Sequence, residues 1–107
     1  MMAERGAGDA PDRSFVPADD GARWSYTGAL TYANAGSVLA AAAALPLPSA
    51  GEVDLAAVGA VDSAAVAVLL ALKRRASDEG RPLKFVNVPS ALTALSDLYG
   101  VEEIVVA

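Results

Sequence analysis

With 107 residues the chain has room for one domain, and 54% hydrophobic content against 20% charged excludes disorder over its whole length. It has no cysteine and no histidine, which excludes disulfides, zinc sites of the Cys/His kind and histidine-activated nucleophiles. The net charge of −5, with −3 of it in the first twenty residues, leaves no concentrated basic surface with which to grip a phosphate backbone.

Residues 1–13 combine Gly, Ala, Pro and charge and read as a disordered tail, so the domain is expected over residues 14–107. The N-terminus lacks the basic-then-apolar order of a secretory signal. Ser14-Phe15-Val16 predicts a short edge strand, ended by Pro17 and the turn formers Asp19-Asp20-Gly21. In Arg23–Leu30, Trp24 and Tyr26 alternate with Arg23, Ser25 and Thr27, the period of a half-buried strand. Asn34-Ala35-Gly36-Ser37 supplies capping candidates for an alanine-rich helix over Val38–Leu45, which Pro46 and Pro48 stop. Glu52–Val58 predicts a central strand with Val53, Leu55 and Ala57 on one face, and Gly59–Asp62 then turns the chain.

A helix follows from Ser63 to Asp78. It is apolar nearly all round in its first half and charged in its second, so its first turns should be covered on more than one side. Gly80 is placed to cap it. Pro82–Val88 reads as another strand, and Pro89 suits the opening of a last helix with Leu92, Leu95, Leu98 and Tyr99 as its inward stripe. Gly100 ends that helix, Val101 is placed to pack back on it, and Ile104-Val105-Val106 is strand-like. Alternation of strand and helix predicts an α/β fold, a mixed, mostly parallel sheet of about four to five strands with helices packed on it.

The chemistry-bearing residues are few. No glycine-rich stretch has phosphate-loop spacing. The pairs Asp19-Asp20 and Glu102-Glu103 fall in a turn and near the terminus, where carboxylates are ordinary surface charge. Lys73-Arg74-Arg75 reads as the solvated last turns of a helix, where cations suit the dipole, or as a contact for phosphate or a membrane surface. The longest apolar run, Ala64–Leu72, is far short of the roughly 18 residues of a membrane span, so any membrane link must come through a partner. That leaves Asp62-Ser63, set where a buried strand feeds a helix among unpaired backbone N–H groups. Both residue types cap helices well, for about 1 kcal/mol. A hydroxyl there also suits a docking contact, and a phosphate would gain from the helix N-terminus as a switch.

From Val53 to Leu70 the sequence resembles the central signature of STAS domains, the fold of anti-sigma-factor antagonists: a strand, an Asp-hydroxyl turn, then an aliphatic helix. Gly28-Ala29-Leu30-Thr31 is similar to the family's earlier Gly-x-Leu element, and Lys84–Val88 with Leu92, Leu95 and Leu98 to its last strand and helix. The regulatory serine of the antagonists falls second after the Asp, where this chain has Ala64, and Ala65 stands for the following Gly. A hydroxyl directly after Asp62 resembles instead the B subunits of Mla-type lipid transporters. The resemblance implies a cytoplasmic, non-enzymatic accessory protein without cofactor or metal, peripheral to the inner membrane through its complex. It would dock on the ATPase subunit of a phospholipid ABC transporter, with its permease. Ser63 and Asp62 carry that docking, and Ala64, Ala65 and Val68 complete the surface. The alternative it implies is an anti-sigma-factor antagonist phosphorylated at Ser63 by its kinase partner.

Overall fold

The structure, a computed structural model, describes residues 14–101. The expected tail and the strand-like Ile104–Val106 lie outside that range. The elements run β1 (Val16–Pro17), β2 (Arg23–Leu30), α1 (Ala35–Ala43), β3 (Glu52–Val61), α2 (Ser63–Asp78), β4 (Lys84–Val86) and α3 (Ser90–Leu98). Their spatial order in the sheet is β1-β2-β3-β4. β1 is antiparallel to β2, and β2, β3 and β4 are parallel to one another. This is the mixed, mostly parallel α/β sheet expected.

Alternation decides which face is covered. Trp24 and Tyr26 of β2, Val53 and Leu55 of β3 and Phe85 of β4 point into one core with residues of all three helices. There the Phe15 ring packs, tilted, against those of Trp24 and Tyr26 at 5.5 and 5.2 Å between centroids. The opposite face carries Arg23, Ser25, Thr27, Glu52, Asp54 and Lys84, all exposed or half-buried.

Several boundaries differ from expectation, each for a local reason. β3 does not stop at Val58 but runs to Val61. Its pairing with β2 slips twice by one residue, between Asp54 and Ala57 and again between Val58 and Val61. Each slip is a bulge that rotates the following side chains. The inward positions therefore fall at 53, 55, 58 and 61, and Ala57, expected inside, is exposed. β1 is Val16–Pro17, with Phe15 before it in the core, and Pro17 is tolerated at the sheet edge. α1 begins at Ala35, and Asn34 precedes it without a side-chain capping bond. β4 is only Lys84–Val86, because Asn87 turns out of the strand at φ 56°.

In α3 the inward residues are Leu92 and Ser96, with Leu95 half-buried. Leu98 is 73% exposed because six residues at 3.6 per turn place it about 240° round from Leu92. Tyr99 lies past the last helical residue and is 53% exposed. Ser96 takes the core position and donates its hydroxyl to the Leu92 carbonyl at 3.0 Å, so nothing polar is stranded there. The glycine caps are as expected. Gly80 and Gly100 hold φ near 70°, and Arg81 and Val101 return their N–H groups to Ala76 and Ser96 at 2.8 and 2.9 Å.

Candidate functional site

Leu30 and Val61 are register partners, so β2 and β3 end side by side at the carboxyl edge of the sheet. In open parallel sheets this edge is where loops gather to make binding sites. Here it brings together the turn Asp62-Ser63 and the loop Thr31–Asn34.

Asp62 has extended backbone angles and caps α2, accepting the Ala64 N–H on Oδ1 at 2.8 Å. Its other oxygen, Oδ2, accepts the Tyr32 N–H at 3.1 Å. Asp62 is thus a helix cap and also the tie between two loops.

Asn34, expected to cap α1, closes its own loop instead. Its Oδ1 accepts from Thr31 N at 3.0 Å, and its Nδ2 donates to the Ala29 carbonyl at 3.0 Å and the Tyr26 hydroxyl at 3.3 Å. Thr31 Oγ1 accepts from Ala33 N at 3.3 Å. The loop is therefore bonded along its whole length.

Ser63 is the first residue of α2 and is exposed. Ala64 is half-buried. Ala65 and Val68, expected to complete a contact surface, are instead core residues at 0% and 2% exposure. They stand with Leu69 and Leu72 at helical spacing on the stripe that faces the sheet. Val66 is buried as well, so the first turns of α2 are covered on more than one side, as its composition predicted. Ala67 is the residue that α2 exposes beyond Ser63 in those turns.

Sequence reasoning missed Tyr32, which is 85% exposed beside the turn. A signal for this region was present. No charged residue occurs from Trp24 to Gly51, and only Asp62 is charged between Leu55 and Leu72. Among the described residues, the turn and loop at the carboxyl edge present Tyr32 and small neutral side chains, with one carboxylate, Asp62, already bonded.

The basic cluster is largely consumed by the fold. Lys73 Nζ donates to the Leu83 carbonyl at 2.6 Å and lies 5.7 Å from the centre of the Phe85 ring. Arg75 donates to the carbonyls of Ala42 and Leu45 at 3.1 and 2.6 Å and pairs with Glu79 at 2.9 Å. Arg74 alone of the three is exposed.

Away from this edge, Asp54 is held below the usual carboxylate range. The Ala56 N–H at 2.9 Å is the largest cause and the Asn87 amide at 3.2 Å the next; desolvation opposes them, and the Arg23 guanidinium adds the smallest effect. Asp54 sits at the first bulge, and its bond to Ala56 satisfies an N–H in the stretch where pairing slips.

Among the described residues no group of three or more acidic, Cys or His side chains is placed to hold a metal ion. No described helix is long and apolar enough to cross a membrane.

A four-stranded mixed sheet covered by helices on one face, with an Asp-hydroxyl turn at its carboxyl edge, defines a STAS-type α/β domain. A family model described as "Mlab, STAS domain" matches residues 18–106, and the chain belongs to that family. Membership points to an accessory role. No curated protein matches the chain.

Proposed function

We propose that this chain is a non-enzymatic accessory subunit that docks, from the cytoplasmic side, on the ATPase of an Mla-type phospholipid ABC transporter. The family match supports the class of complex. The observation that carries the docking surface is the exposed residue Ser63 at the start of α2, beside Asp62, whose carboxylate is already bonded. Small neighbours let a partner's backbone come close, and one hydroxyl satisfies a polar group that association would otherwise strand.

With Ala65 and Val68 in the core, the surface consists of Ser63, half-buried Asp62 and Ala64, and exposed Ala67. Ser63→Arg places a long cation on this surface without disturbing the core. It should abolish co-purification with the ATPase while leaving the melting temperature unchanged. Wild-type yield of ATPase with a folded Ser63→Arg chain would sink the assignment.

The exposed hydroxyl also leaves open the antagonist reading, in which Ser63 is phosphorylated. Asp62 weighs against it by setting a carboxylate beside the incoming phosphate. A mass gain of one phosphate with a cognate kinase, lost in Ser63→Ala, would favour that reading.

A further inference from the structure

Asp62 divides its carboxylate between two amides from different elements. One belongs to its own helix, and the other to Tyr32, 30 residues earlier. Because Asn34 fixes the same loop from within, the segment carrying Tyr32 is held from both sides. On this held loop the Tyr32 side chain is the most exposed of the large apolar side chains among the described residues, at 85%. A tyrosine offers broad contact area for the loss of only two torsions, and aromatic anchors on rigid supports carry a large share of binding energy. Its surroundings have the charge depletion found at the centre of protein interfaces. The stretch from Trp24 to Gly51 has no charged side chain, and Asp62 is already shared.

We propose that Tyr32 is the aromatic anchor of the docking surface and that Asp62 is its positioning residue, holding the loop in register with Ser63. This rests on the docking reading above. The occupant is the transporter ATPase. Its contact patch must then offer an apolar recess for a phenol ring beside the point that meets Ser63.

The test is titration of immobilised full-length chain with the purified ATPase–permease complex of the source organism in detergent. Tyr32→Ala should weaken affinity at least about tenfold, and Tyr32→Phe no more than about threefold, with melting temperatures unchanged. Asp62→Asn offers one acceptor oxygen for two donors, so it should weaken binding in the wild-type background and add little in Tyr32→Ala. Equal losses in both backgrounds would overturn the positioning role. If Tyr32→Ala binds normally while Ser63→Arg does not, the anchor is wrong and the docking surface stands. If neither variant weakens binding, the docking reading falls and the anchor with it. Sedimentation of the chain alone covers the remaining occupant, since a homodimer dissolved by Tyr32→Ala would assign the ring to a second copy and overturn the proposal.

Discussion

The two edges of the sheet are built from different materials. At the amino edge, β2, β3 and β4 open with Arg23, Glu52 and Lys84, and the charged half of α2 brings Lys73 and Arg75, with Glu79 just past its end. These charges mostly face one another or backbone carbonyls. At the carboxyl edge, the loops are closed by neutral amides and hydroxyls, and among the described residues of these loops Asp62 is the one charge. The amino edge uses its charges to hold elements together. The carboxyl edge is held from beneath by groups that stay out of the surface, which leaves Tyr32, Ser63 and small residues facing outward. On the proposed docking reading, stability and recognition fall at opposite ends of one sheet.

The largest effect that separates the two ends should come from Arg75. Its guanidinium serves the carbonyl of Ala42 in the last turn of α1, which also accepts the Leu45 N–H at 3.0 Å, and the carbonyl of Leu45 just past the helix end. Arg75→Ala leaves both part-buried carbonyls without this donor and should cost about 1.5–3 kcal/mol in urea unfolding with an unchanged slope. Arg75→Lys should recover less than half, because an ammonium lacks the planar fork. Affinity for the partner should not change. A variant of wild-type stability that bound the partner poorly would break the division between the edges.

The charge-poor stretches were visible in the sequence, and so was the turn into α2, because an Asp-hydroxyl pair at a strand-to-helix junction has few other uses. The strand alternation of Trp24 and Tyr26 and the caps at Gly80 and Gly100 were legible for the same reason: each depends on neighbours close in sequence. The bulges were not. They replace a spacing of two with spacings of three at Val58 and Val61, so a period-two reading ends the strand early. Tyr32 was hidden because only the pairing of Leu30 with Val61 brings its loop to Asp62. Ala65 and Val68, which the family resemblance places on the contact surface, are turned inward by helical spacing.

A smaller effect is expected at Asp54, which belongs to the open face of the sheet. Its folded pKa lies below the ordinary value, so its stabilisation is full above the unfolded pKa and is lost as pH falls through the folded one. Asp54→Asn should cost below about 1 kcal/mol at neutral pH, since the group is partly exposed and Asn keeps one acceptor for Ala56. The gap between wild type and variant should close in acid. A gap that stays constant with pH would mean that the carboxylate charge contributes nothing at the bulge.

The smallest effect tests whether the amino-edge ladder matters at all. Glu52 lies between its two register partners, with Oε1 3.4 Å from Arg23 Nη2 and Oε2 3.6 Å from Lys84 Nζ. The cations are nearly half exposed, so solvent and salt screen both pairs. Glu52→Gln removes both attractions and leaves two cations on strands separated by β3, about 10 Å apart at ordinary strand spacing, where their repulsion is weak. The loss should be about 0.5 kcal/mol, a fall of about 2–4 °C in melting temperature, and should vanish in high salt. If it persists in high salt, the Glu52 side chain stabilises the sheet by packing or hydrogen bonding, and charge is not what holds this edge. Binding to the partner should be indifferent to the substitution at either salt concentration, because the ladder lies at the far end of β3 from Ser63.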